Sequence, residues 1–92
     1  MINALIMQPQ DDVAMVPLKA AAGDIVALTI GGKRREMTVA QDIPIYHKFA
    51  LHDISKGSIV RKYGNIIGEA TQDIPAGTHV HTHNINSTSR KE

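Results

Sequence analysis

A mainly β fold with several short strands and hairpins, and at most one short helix, is what this sequence predicts. Three observations lead there. Apolar runs are short and β-branched, Gly, Pro or Asp interrupts the chain every few residues, and one short segment recurs. Asp53-Ile54-Ser55-Lys56-Gly57-Ser58-Ile59-Val60 matches Asp73-Ile74-Pro75-Ala76-Gly77-Thr78-His79-Val80, and Gly23-Asp24-Ile25-Val26 repeats the last part. Each copy reads as an extended arm entering a Gly-containing turn from which a new strand leaves.

The elements follow in order. Residues 12–22 could hold the one short helix, although Pro17 opposes it. Asp24 to Ile30 reads as a strand, Gly31-Gly32-Lys33-Arg34 as a turn, and Glu36 to Ala40 as the hairpin partner. Ile45 to Asp53 contains an alternating stretch that sets His47, Phe49 and Leu51 on one face and Lys48 and His52 on the other. Gly57 to Arg61 and Ile66 to Ala70 form a second hairpin around Lys62-Tyr63-Gly64-Asn65, with Gly64 or Asn65 able to take positive φ. His79 to Ile85 is the last strand. Pro44 and Pro75 suit edges, because neither can donate to a ladder. We expect one domain over residues 1–86 and a polar tail over 87–92.

Composition narrows the function. The 92 residues suffice for one core with little room for a deep private pocket. Aromatic residues make up only 3%, which argues against stacking platforms for single-stranded nucleic acid. A net charge of +1 gives no field suited to nucleic acid or an anionic membrane. The absence of cysteine excludes disulfides and thiolate chemistry. Residues 1–7 carry no basic leader, and no apolar run reaches membrane-spanning length. The expectation is a soluble cytoplasmic protein that binds neither nucleic acid nor membrane.

Chemistry concentrates in His79-Val80-His81-Thr82-His83-Asn84. In a regular strand the three imidazoles share a face, where they could hold a metal, pass protons or grip an anion. Alternating polar residues also fit a plain solvent face. Neighbours two apart lie roughly 6.6–6.8 Å apart along a strand, so two of them can close on one ion; His79 and His83, about 13 Å apart, cannot. His47 and Lys48 offer a base and a fixed cation, and Arg61-Lys62-Tyr63-Gly64 gathers cations and a phenol at one turn. No nucleophile elbow, phosphate-binding Gly loop or zinc-finger spacing is present.

His47-Lys48-Phe49-Ala50-Leu51, Asp53-Ile54, Lys56-Gly57, Lys62-Tyr63-Gly64, Ile67-Gly68, Asp73-Ile74, Gly77 and Val80-His81-Thr82-His83-Asn84 occur together in this order. That set resembles the N-terminal domain of the altronate/galactarate dehydratase family, a SAF-type β-clip domain, over about residues 5–86. One departure is Tyr46, where the family often has Gly before the His-Lys pair. The resemblance implies a lyase that dehydrates an altronate- or galactarate-type 2-hydroxy acid. It also implies a stand-alone small subunit whose site is completed by a large subunit, as in split altronate dehydratases. A small subunit of sulfolactate sulfo-lyase, a carbon–sulfur lyase, is the alternative within the family. Because the SAF fold also serves in assembly proteins, a non-catalytic binding module is the alternative outside it. On this reading His81, His83 and His47 are catalytic. Asn84, Lys48, Lys62 and Tyr63 bind an anionic hydroxy acid. A divalent cation (Fe²⁺ or Mn²⁺) sits on His81 and His83, and homo-oligomers are compatible.

Overall fold

The structure, a computed structural model, describes residues 2–87; the rest of the polar tail, 88–92, lies outside the described residues. Nine strands and no helix occur among them. β1 (Ile2–Met7), β3 (Ile25–Ile30) and β4 (Lys33–Thr38) make one sheet, with β1 parallel and β4 antiparallel to β3. β2 (Val13–Met15), β5 (Lys48–Ala50) and β8 (His79–Val80) make a second, and β6 (Ile59–Lys62), β7 (Asn65–Ala70) and β9 (Ile85–Ser87) a third, both antiparallel.

The mainly β expectation holds, with corrections. The segment offered as a helix contains β2 instead, and Pro17 follows its end. Both hairpins close through two residues rather than four. Gly31 and Gly32 have φ of 57° and 80°, and Tyr63 and Gly64 have 53° and 78°, the pairing that matches right-handed strand twist. The strand expected from Ile45 to Asp53 is only Lys48–Ala50, and the one expected from His79 to Ile85 stops at Val80.

The repeat is the frame of the molecule. Ala20 and Ile43 exchange backbone hydrogen bonds at 2.9 and 2.8 Å, and Ile54 and Ile74 do so at 2.8 Å each way. Three residues after each of these four positions the chain turns with positive φ, at Gly23 (92°), Tyr46 (66°), Gly57 (88°) and Gly77 (82°). Asp53 and Asp73 cap each other's arm: Ala76 N donates to Asp53 Oδ1 at 2.8 Å and Lys56 N to Asp73 Oδ1 at 2.9 Å. Asp42 does the same for Ala22 N at 2.9 Å. The Asp42–Tyr46 corner escaped the sequence comparison because a tyrosine stands where the other corners have glycine.

Two cores lie on either side of the short middle sheet. Ala14 and Phe49 point into one, with Val16, Leu28, Val39 and Ile43, whereas Val13 and Ala50 point into the other, with Ile54, Val60, Ile74 and Val80. With both faces covered, strand alternation lets strands as short as β2 and the Phe49-Ala50 part of β5 serve both cores.

The corners differ in tolerance. A Cβ on Gly57 would meet nothing within 4 Å, but one on Gly77 would lie 2.9 Å from Thr38 O and 3.2 Å from Ala40 N. Gly57→Ala is therefore expected to lose about 1–2 kcal/mol, the cost of a left-handed residue. Gly77→Ala must also move β4 backbone and should lose clearly more. Urea unfolding of both variants measures this, and equal losses would contradict it.

Candidate functional site

The histidines are gathered by strand register. β5 and β8 pair with Lys48 opposite Val80 and Phe49 opposite His79. One further step sets His47 opposite His81, and their rings stack at 4.2 Å between centroids. His79 sits diagonally, with His47 Nδ1 and His79 Nε2 2.8 Å apart. One of these nitrogens carries the hydrogen and the other the lone pair, so the contact requires at least one neutral ring. His47 is itself held by Val16 N, which donates to His47 O at 3.0 Å, and by His47 N donating to Pro44 O at 3.0 Å.

After Val80 the chain curls. Asn84 N and Ile85 N both donate to His81 O at 3.1 Å. The buried Asn84 side chain accepts from His81 N at 3.0 Å and donates to His79 O at 2.8 Å. The turn brings the His83 ring to 5.1 Å from His79, where a straight strand would separate the residues by roughly 13 Å. Four imidazoles thus form one cluster. The tight trio is His47, His79 and His81, whose ligand nitrogens all lie within 4.8 Å of one another. Of the pair expected to hold a metal, His81 belongs to this trio and His83 lies beside it. His79, passed over as a site residue, is at its centre.

Asn84, expected to orient substrate, uses its amide to shape the histidine turn. Lys48 and His47 were expected to serve opposite faces of one strand, but His47 precedes β5, which starts at Lys48. His81 nevertheless reaches both, because it lies beyond the end of β8: it stacks on His47 and lines a cavity of about 280 Å³ with Lys48, Lys62, Ile67, Thr82 and Ile85. The Lys62 ammonium also lies 4.8 Å over the Tyr63 ring, and Tyr63 is not among the cavity-lining residues. His83 and Asn84 line a second hollow of about 230 Å³ with Gln41, Gln72 and Thr78. A third, over the Ile54–Ile74 corner pair, has neither histidine nor lysine. His52 is elsewhere, bonded to Asp12 Oδ1 at 2.8 Å and Asp53 O at 2.9 Å.

Burial, followed by the nearby positive groups His83, His47, His81 and Lys48, lowers the His79 pKa from the usual 6.5. His81 is lowered by burial and then by His47, Lys48 and His83. Lys48 is lowered from 10.5, first by burial and then by Lys62. Near neutral pH both His79 and His81 are therefore uncharged, as ligands and bases must be. The unfolded chain takes up protons at these two positions below about 6.5 while the folded chain resists until lower pH. Their contribution to stability is complete above 6.5 and is lost as pH falls through that window. In urea unfolding at pH 7.5 and 5.0, His79→Gln with His81→Asn should reduce the drop in midpoint; an unchanged drop would contradict it.

The donor set suits a divalent first-row cation. Neutral imidazoles bind such ions at about 2.0–2.1 Å, so two donors on one ion are at most about 4.2 Å apart. Three donors on one ion must lie closer still, so His47, His79 and His81 could hold a cation only after the His47–His79 hydrogen bond gives way and the rings draw together.

A family model described as "Altronate/galactarate dehydratase SAF domain" matches residues 2–88. The chain belongs to this family. The SAF domain is 46% identical over 74 residues to altronate dehydratase of Escherichia coli (strain K12), a match covering 80% of this chain and 14% of that protein. It is 48% identical over 48 residues to (2R)-sulfolactate sulfo-lyase subunit alpha of Paracoccus pantotrophus, covering 52% of this chain and 72% of that subunit. The corresponding subunit of Chromohalobacter salexigens is 42% identical over 50 residues, 54% of this chain and 53% of that one. The chain thus spans about one-seventh of the E. coli dehydratase and about half of the C. salexigens subunit. These relatives are named as a dehydratase and as sulfo-lyase subunits. Among the described residues no helix is long and apolar enough to cross a membrane.

Proposed function

We propose that this SAF domain acts as the small subunit of a hydro-lyase that dehydrates an altronate- or galactarate-type 2-hydroxy acid, with the active site completed by a separate large subunit. The observation that carries this reading is the cluster of His47, His79, His81 and His83 on one edge, in a chain whose relatives include an altronate dehydratase. Dehydration removes the C2 proton, forms the C2–C3 double bond and releases the C3 hydroxyl as water. The resulting enol then becomes a 2-keto-3-deoxy acid. This needs one base and one acid close together, and neutral imidazole serves either role. His83, exposed and outside the tight trio, is best placed to exchange protons with a substrate; His81, backed by the stacked His47, is the second group. Where His47, His79 and His81 instead hold Fe²⁺ or Mn²⁺, His81 is a ligand and His83 remains the proton-transfer residue, and the ion when bound supplies Lewis-acid stabilisation of the enediolate.

The sulfo-lyase alternative is favoured by one observation, the 48% identity to the P. pantotrophus sulfo-lyase subunit over 72% of that subunit. Sulfite leaves more readily than hydroxide, so the same base would suffice with less acid assistance.

The test is to co-express this chain with the large dehydratase-like subunit of the same organism and assay it on altronate, galactarate and sulfolactate. Loss of hydroxy acid with formation of a 2-keto acid supports the dehydratase, and sulfite release the sulfo-lyase. A complex that forms but stays inactive, and is unaffected by His81→Ala with His83→Ala, marks a binding module. Neither association nor turnover would overturn the proposal.

A further inference from the structure

We infer that the hollow between Lys48 and Lys62 is an anion subsite that seats the carboxylate or sulfonate head of the hydroxy acid, delivering its reactive carbons to the histidines through His81. The inference rests on the lyase reading only for the identity of the acid.

Lys48 comes from β5 and Lys62 from β6, strands of different sheets, yet both line one cavity of about 280 Å³. Neither lysine has a carboxylate within salt-bridge distance among the described residues, and no acidic residue lines the cavity. Two ammonium groups brought together without a counter-charge are an unbalanced arrangement that an incoming anion corrects. Long lysines at a surface normally splay into water; here one is half-buried beside Ala50 and the other is held over the Tyr63 ring. Ile67 and Ile85 supply an apolar wall, which lowers the local dielectric and strengthens attraction to a charged head. Thr82 adds a hydroxyl suited to a sugar-acid oxygen.

The position sets the polarity of binding. His81 is the residue shared by the cavity and the imidazole cluster. An acid anchored by its carboxylate between the lysines therefore has C2, the carbon next to that head, nearest His81, and C3 beyond it on the side of the imidazole cluster. A neutral polyol of the same length has no comparable anchor.

The purified 92-residue chain, labelled with ¹⁵N, is titrated separately with galactarate, sulfolactate and the neutral polyol galactitol, and amide shifts are followed. Saturable shifts at Lys62, His81 and Thr82 are expected with the two acids and not with galactitol. Lys48→Met with Lys62→Met is expected to weaken them at least ten-fold while the rest of the spectrum keeps its dispersion. Binding of galactarate, which has carboxylates only, supports a carboxylate seat; binding of sulfolactate but not of galactarate supports a sulfonate seat. The inference is overturned if the acids cause no saturable shift, if galactitol binds equally, or if the double variant binds as the parent does. Should that variant lose its dispersion, Lys48→Arg with Lys62→Arg is used instead. Retained saturable binding then supports the subsite, and its absence in a folded charge-preserving variant overturns it. Binding without turnover in any complex would sink the lyase reading alone. Turnover with KM unchanged in the lysine variant would sink the subsite alone.

Discussion

His81→Asn is expected to lower turnover of the assembled lyase by about 10²–10⁴-fold, the usual worth of a positioned acid or base. His81 is the hinge of the arrangement: it stacks on His47, belongs to the trio with His79, and borders the lysine cavity. His83→Asn should fall in the same range, whereas His52→Gln, bonded to Asp12 on another part of the surface, should stay within about two-fold. The measurement is kcat on the responsive acid, with circular dichroism to confirm folding. Folded His81→Asn with parental kcat would remove the imidazoles from the chemistry and leave an assembly role. If the trio holds the cation, His79→Asn should instead abolish stoichiometric binding of Mn²⁺ to the complex while His83→Asn retains it.

The second large effect is structural. Asn84→Ala deletes the acceptor of His81 N–H and the donor to His79 C=O at a buried position. Each orphaned group costs about 1–3 kcal/mol, so the loss should be about 2–6 kcal/mol, a large share of the stability of a small domain. Asn84→Asp retains the acceptor and turns the donor into a repelling oxygen, so it should be no better than half restored. Urea unfolding measures both. Asn84→Ala within about 0.5 kcal/mol of the parent would show that the turn holds itself, through Asn84 N and Ile85 N on His81 O.

These predictions separate what local signals reveal from what they hide. The hairpins at 25–38 and 59–70 were readable because Gly31-Gly32 and Gly64 advertise backbone that other residues avoid. The Asp-Ile corners at 53 and 73 were readable for the same reason. The corner at 42 was hidden because Tyr46 takes φ of 66° without being glycine, and with it went the early end of the strand expected around His47. Tyr46 remains 65% exposed, so nothing in the core demands a side chain there. Tyr46→Gly is expected to be neutral or stabilising by up to about 1 kcal/mol.

Of the four clustered imidazoles the sequence singled out His47, His81 and His83 but not His79, and it hid their geometry. Alternation placed His79, His81 and His83 on one line and kept His79 and His83 too far apart to cooperate. That argument assumed a straight strand. No Gly or Pro marks the bend after Val80; the bend is made by a buried amide that satisfies two backbone groups of the histidine segment itself. In the sequence that amide resembled a substrate ligand.

From residue order alone came the β class, the double repeat and the family, because each rests on local spacing or backbone preference. Which imidazole touches which came only with folding. His47 and His79, separated by 32 positions, meet because β5 and β8 pair in one register, and a shift of a single residue would turn one set of rings to the other face. Registers are chosen by the two cores on either side of the middle sheet, so the partner of each histidine is decided by Phe49, Ala50 and Val80 rather than by the histidines.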